Sequence, residues 1–126
     1  MKIRLRDGTA DDHAYVATCW LGGWRWDSRL HRKAYDRGLV DRVLTDPSTK
    51  LRLAVDADDV DHIVGFSVVT GDVLHYVHVR KEHWGMGCCR VLLKGVGSLR
   101  CWYANAGARF VARCCELRYD PLCLMD

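Results

Sequence analysis

The sequence predicts one domain of the α/β (α+β) class, a mixed and mostly antiparallel sheet with helices on both faces. Three observations support this prediction. Several short segments alternate apolar and polar residues, as strands with one wet face do. Other segments repeat apolar residues at helical spacing. The two patterns follow one another as strand, helix, helix, three strands, helix and strand, an order typical of a sheet packed between helices.

Length and composition are those of a small globular domain. The chain has 126 residues, of which 49% are hydrophobic and 28% charged, so we expect residues 1–126 to form a single domain with one modest core. We find no apolar run of about 18 residues and no signal-peptide pattern, so we expect a cytoplasmic protein with no membrane contact. The net charge of +3 is too small to predict nucleic-acid binding.

The cysteine pattern predicts neither disulfides nor a metal site. The chain has seven cysteines, an odd number, with adjacent pairs at 88–89 and 114–115 and no CxxC spacing. Reduced thiols that serve as small core residues are therefore expected. No histidine can be paired with any of them from the sequence, which argues against a cysteine nucleophile.

The first third of the chain is predicted to form a strand and two helices. Residues 2–6 alternate as a strand does, and Thr9 and Asp12 have the spacing of a capping box for the helix that follows. That helix should end at Gly22 and Gly23, and a second helix is predicted over 28–44. The aromatic connection 24–26 is either a packed loop or a wall that faces a substrate.

Three consecutive strands are predicted next. Leu51, Leu53 and Val55 alternate as a strand, and the acidic segment 56–61 is expected to be a solvated turn. The dense apolar run 63–70 predicts a central strand buried on both faces. A tight turn at 71–72 should then join it to the strand 73–79 as an antiparallel hairpin.

A glycine-spaced turn, WGMGCC at 84–89, follows this hairpin and begins the next helix. Gly85 and Gly87 remove side chains where the backbone must turn. The N–H groups of a helix start have no intrahelical acceptor and point outward. The segment is therefore predicted to bind an anion such as a phosphate or pyrophosphate.

The end of the chain is the least patterned part. Leu92, Val96, Leu99 and Tyr103 are spaced by four, three and four, which predicts a long helix that ends near 105–107. Tyr103 is then a core residue or, alternatively, a proton donor. Residues 109–114 are predicted to form a last strand, and the tail from Tyr119 has no clear pattern.

The segment that contains the turn resembles a known family. A strand that ends VHV, a basic turn RKEH and the helix start WGMGCCRVLL are similar to the acetyl-CoA signature of the GNAT acyltransferase superfamily, an Arg or Gln followed by xxGx and Gly or Ala. Trp84 stands in the Arg/Gln slot, Gly87 in the glycine slot and Cys89 in the small-residue slot. The opening IRLRDGTADD and the strand VLHYVHV look like small GNAT-like proteins of tailed-phage genomes.

The resemblance implies a GNAT-like fold and an acetyl-CoA-dependent N-acetyltransferase that acts on a primary amine of a small molecule or protein. It implies a cofactor site at Val77, His78 and Val79, where the backbone of Val77 and Val79 would pair with pantetheine amides. Backbone N–H groups would hold the pyrophosphate, those of Trp84, Gly85, Met86, Gly87, Cys88 and Cys89. Four cations are near enough in sequence to reach phosphates: Arg80, Lys81, Arg90 and Lys94.

Acetyl transfer to an amine needs a neutral amine and a proton donor for the departing thiolate. GNAT proteins often place a carboxylate on the central strand to keep the amine neutral by accepting its proton. The matching position here is Val73, so the candidates for the base are the adjacent Asp72 and His75. Tyr119 is the candidate proton donor. The alternative for His75 is a hydrogen-bonded structural residue.

Strict alternation along the strand 73–79 places His75 on the face of Val77 and Val79, and His78 on the opposite face. This parity argues against chelation of one metal ion by the two histidines.

A second function remains open, a GNAT-like CoA-binding or protein-interaction module without turnover. The missing strand carboxylate favours it, as does a chain that ends where the family usually continues with a helix and a hairpin. An open sheet edge also predicts a homodimer. Association with nucleic acid ranks last, because only scattered arginines and aromatic residues support it.

Overall fold

The computed structural model describes residues 1–23, 37–101 and 116–120. Within them six strands form one sheet in the order β1-β2-β3-β4-β5-β6. The first four strands pair antiparallel, whereas β5 runs parallel to β4 and β6 runs parallel to β5. The strands are β1 Ile3–Asp7, β2 Thr49–Asp56, β3 Asp59–Thr70, β4 Val73–Val79, β5 Leu99–Cys101 and β6 Leu117–Tyr119.

Within the described ranges, α-helices cover the two faces of the sheet: α1 His13–Gly23, α2 Arg37–Thr45 and α3 Cys88–Leu92. Apolar residues of α1 and α2 form one core with the sheet, and those of α3 form a second core. The predicted mixed sheet with helices on both faces is therefore confirmed. No helix of the described ranges is long and apolar enough to cross a bilayer.

The capping-box residues join β1 to α1. The Asp12 carboxylate accepts the Thr9 N–H at 2.8 Å and two hydrogen bonds from the Arg6 guanidinium at 2.8 and 3.0 Å. The hydrogen bonds from Arg6 are the main cause that holds the pKa of Asp12 below its ordinary value. The predicted helix start is confirmed, with a 3₁₀ turn at Ala10–Asp12 before α1.

A β-bulge interrupts the regular pairing of β3 with β4. Val69 pairs with Leu74, but its neighbour Val68 pairs with Tyr76, so His75 is an extra residue on β4. An extra residue in one strand breaks the alternation of faces at that point.

The bulge places His75 and Tyr76 on the same face of the sheet. Both rings lie against Trp20 of α1, with ring centroids 5.9 and 6.0 Å away. His78 follows on that face, because its ring stacks on Tyr76 at 6.3 Å. The prediction that His75 and His78 lie on opposite faces is therefore wrong, because it assumed strict alternation.

The helix after the glycine turn is shorter than predicted. It ends at Leu92, and Gly95 has a φ of +77°, a conformation that cannot continue a right-handed helix. Leu99 lies in the strand β5 rather than on a helical stripe. The predicted helix to Tyr103 is therefore wrong over its second half, although Tyr103 itself lies outside the described residues.

Other differences concern the turns and the chain end. The predicted acidic turn 56–61 is reduced to two residues at 57–58, because β3 begins at Asp59. Leu117–Tyr119 forms β6, where no pattern was predicted at Tyr119. The predictions for 24–26, for the start of the second helix at 28–36 and for a strand at 109–114 fall outside the described residues.

Gly65 sits where β3, β4 and α3 approach closely. A Cβ on Gly65 would lie 2.5 Å from the His78 carbonyl oxygen and 3.1 Å from the Cys88 Sγ. We expect Gly65→Ala to lower the free energy of unfolding by roughly 1–3 kcal/mol in urea denaturation, because the β4 backbone must shift. Gly22→Ala is the matched control, since a Cβ there meets nothing within 4 Å. Equal stability of the two variants would contradict this packing.

Candidate functional site

The outer edge of β4, the side of Val77 and Val79 that faces away from β3, presents backbone groups. The Arg80 N–H donates to the Val64 carbonyl on β3 at 2.9 Å. Backbone groups alternate between the two sides of a strand, so those of Val77 and Val79 point away from β3. Within the described residues, β5 pairs with β4 only at Val73. The outer edge at Val77 and Val79 can therefore accept an extended, amide-bearing chain.

The glycine loop, residues 84–87, continues from this edge after a 3₁₀ turn at Lys81–His83. Gly85 and Gly87 have φ values of +83° and +77°, which glycine adopts at little cost. A Cβ at either position would meet no atom within 4 Å, and the whole loop is exposed. The predicted glycine turn is present, and its backbone is open to solvent.

The start of α3 turns backbone N–H groups toward the glycine loop. The Val91 N–H donates to the Gly87 carbonyl at 3.1 Å, which is the first bond of the helical ladder. The N–H groups of Cys88 and Arg90 precede that bond, so they have no intrahelical acceptor. The side chains of Cys88 and Cys89 are only 3% exposed and pack in the α3 core. Cys89 therefore does not fill the loop, although it is larger than Gly or Ala.

The buried thiol of Cys88 is protonated at neutral pH. Burial raises its pKa to about 11. A thiolate is the reactive form of cysteine, so Cys88 has the character of a structural residue.

The cations near the loop divide into two groups. Lys81, Arg90 and Lys94 are exposed. Arg80 instead donates to the Tyr15 hydroxyl at 3.3 Å, and its guanidinium lies 5.8 Å from the centre of that ring. This hydrogen bond is the main cause that raises the pKa of Arg80. Arg80 therefore belongs to the α1 face of the sheet, and only the other three remain candidates for phosphate contacts.

An aromatic cluster on the α1 face was not predicted from the sequence. Tyr76 stacks on Trp20, and the rings of Tyr76, His78 and Phe66 contact one another, with His78 5.4 Å from the Phe66 ring centroid. Burial is the main cause that lowers the pKa of the half-buried His78, and the charge of Arg80 adds to it. The signal for this cluster was the i, i+2 spacing of Tyr76 and His78, which puts two rings on one strand face.

His75 is more deeply buried than His78. It is 6% exposed, and its Nε2 lies 3.2 Å from the Thr70 hydroxyl, which is 2.6 Å from that of Thr49. Burial lowers the pKa of His75 from 6.5 to about 4, so its ring is neutral near pH 7. A hydrogen-bond chain across β2, β3 and β4 thus includes this imidazole.

Asp72 and Tyr119 lie away from the glycine loop. The Asp72 carboxylate accepts two hydrogen bonds from Arg100 at 2.8 and 2.9 Å, which lower its pKa. It precedes β4 whereas the loop follows β4, so roughly 20 Å of strand separates them. Tyr119 is 58% exposed on β6, and β5 lies between that strand and β4. The structure therefore places neither Asp72 nor Tyr119 at the glycine loop, and His75 lies toward the β3–β4 turn, beside Thr70.

Comparison with known proteins identifies the fold. No family model matches the chain, and no curated protein matches its sequence. Solved structures do match. A possible acetyltransferase from Clostridium difficile 630 is 17% identical, with a TM-score of 0.62 over 90% of this chain and 87% of that one.

Two further structures match a smaller part. An acetyltransferase of the GNAT family from Staphylococcus aureus is 14% identical, with a TM-score of 0.54. YjaB from Escherichia coli is 23% identical, with a TM-score of 0.53. Each match covers 75% of this chain, which spans only 63% of the length of either protein. At these identities the similarity establishes the fold.

Proposed function

Since this chain has the GNAT fold, we propose that it binds acetyl-CoA and transfers the acetyl group to a primary amine of a small molecule or a protein. The observation that supports this best is the continuity of the outer edge of β4 with the open glycine loop. An extended amide-bearing chain that ends in a diphosphate has the shape and chemistry that such an edge and loop accept.

In this proposal the cofactor is held mainly by backbone. Val77 and Val79 pair with the pantetheine amides, and His78 lies between them on the strand. Lys81 and Arg90 supply positive charge for the phosphates. Bound acetyl-CoA supplies the thioester acyl group. The N–H groups proposed to hold the pyrophosphate are those of Gly85, Met86, Gly87, Cys88 and Cys89. The Trp84 N–H, predicted as a sixth donor, bonds instead to the Lys81 carbonyl at 3.2 Å.

The acceptor amine would approach from the α1 face. His78 is better suited than His75 to meet it, because His78 is half-buried whereas His75 is enclosed. Both imidazoles have lowered pKa values, so both rings are neutral near pH 7, although each is a weaker base than a free imidazole. The catalytic roles of His75, Asp72 and Tyr119 stay predictions. The ion pair of Asp72 with Arg100 makes that residue the weakest of the three.

The alternative is a CoA-binding or protein-interaction module without turnover. It is favoured by the absence of a carboxylate at Val73 and by the Arg100 contacts that occupy Asp72. The acceptor, a homodimer, a phage origin and a cytoplasmic location also stay predictions.

Two measurements separate the two functions. Calorimetry with CoA tests binding, and thiol release from acetyl-CoA in the presence of small amines and a lysine peptide tests transfer. Acetyltransferase activity requires both signals. Heat of binding without thiol release would support the module, and the absence of both would reject both functions.

A further inference from the structure

The side chain of Trp84 occupies a backbone acceptor on the outer edge of β4. Its indole Nε1–H donates to the Val79 carbonyl oxygen at 2.9 Å. Yet the residue is 66% exposed, so burial contributes little to holding the ring there. A hydrogen bond of this kind is worth about 1 kcal/mol net, which a competing donor can replace.

The Val79 carbonyl is the group that the proposed function assigns to pantetheine. It points away from β3, as the Arg80 bond to Val64 requires. An indole hydrogen-bonded to it stands where the next strand-like chain would run. A carbonyl oxygen has two lone pairs, but a second donor would have to share the space with the ring.

We propose that the Trp84 indole competes with pantetheine for the outer edge of β4. The indole must leave this edge before the cofactor can pair with Val79. The inference rests on the proposed function. It makes Trp84 a residue that sets cofactor affinity through the pantetheine part and leaves the nucleotide part unaffected. A change of side-chain rotamer is enough to release the carbonyl, because Trp84 is mostly in solvent.

The test compares Trp84→Phe with the wild type. Phenylalanine keeps an aromatic ring and removes the N–H donor. Two ligands are titrated by calorimetry, CoA and adenosine 3′,5′-bisphosphate, which lacks pantetheine. We expect Trp84→Phe to bind CoA roughly threefold to fivefold more tightly, since one competing hydrogen bond is gone. Affinity for the bisphosphate should not change.

The remaining outcomes each overturn the inference. Equal CoA affinity in the two proteins would mean that the indole and pantetheine share the carbonyl. Weaker CoA binding in the variant would make Trp84 a ligand contact, and equal tightening for both ligands would place the effect in the glycine loop. If the wild type binds neither ligand, the proposed function fails and the inference with it.

A second measurement needs no variant. In the ¹⁵N-labelled wild type, the indole N–H resonance of Trp84, assigned by its loss in Trp84→Phe or by sequential assignment, reports on the bond to Val79. CoA should increase the exchange of this N–H with water, whereas the bisphosphate should not. An indole N–H that stays protected when CoA is bound would overturn the inference even if the variant failed to fold.

Discussion

Gly87→Glu is expected to abolish CoA binding while the sheet stays folded. Gly87 has a φ of +77° just before α3, and a Cβ there meets no atom within 4 Å. A glutamate would therefore point into open space above the loop and oppose a diphosphate with a like charge. Juxtaposed like charges cost several kcal/mol, so we expect the CoA affinity measured by calorimetry to fall by roughly 100-fold or more.

The matched control is Gly71→Glu. Gly71 also has a positive φ, +60°, and open space around its Cβ, but it lies at the other end of β4. The two variants carry the same added charge and a similar backbone strain, of about 1–2 kcal/mol. Gly71→Glu should keep wild-type CoA affinity. If Gly87→Glu bound CoA as well as this control does, the glycine loop would not be the diphosphate site.

The second large effect is a loss of stability in mild acid that comes from His75. Its pKa is lowered from 6.5 to about 4 in the folded protein. Between these values the unfolded chain binds more protons, so the free energy of unfolding rises with pH and falls as pH drops through this window. We expect a loss of about 2 kcal/mol between pH 7 and pH 4.5, measured by urea denaturation at a series of pH values.

His75→Gln should remove most of this slope, whatever its stability at pH 7. The lowered pKa of His78 adds to the slope in the same direction, so a smaller dependence should remain. His13→Gln is the control, because His13 lies at the start of α1, away from the bulge. If the free energy of unfolding of His75→Gln depended on pH as strongly as that of the wild type, His75 would not be the group that titrates.

The fold was predictable where its signals are local. The capping pair Thr9 and Asp12, the hairpin turn at Gly71 and the alternation along β2 each act over a few residues, and the structure confirms them. The end of α3 was missed because apolar spacing continues past Leu92, where the helix ends, and the left-handed backbone at Gly95 prevents it from continuing.

One part of the candidate site, the glycine loop, was predictable from the sequence. Gly85 and Gly87 identified the loop, because glycine adopts at little cost the positive φ that both residues have. The sequence did not reveal that His75 is a bulge residue, that Arg80 binds Tyr15, or that Trp84 bonds to Val79. Each of these depends on a partner distant in sequence or on the register of two strands.

The sequence by itself determined the order of the described elements from β1 to α3 and the glycine turn, because φ preferences and burial periodicity are properties of short segments. It did not predict β5 or β6. Only the tertiary structure decided which histidine is enclosed, which carboxylate is paired and, within the described residues, where β5 pairs with β4. Those facts follow from strand register and from packing between segments, and a one-residue bulge is enough to change the face on which a side chain lies.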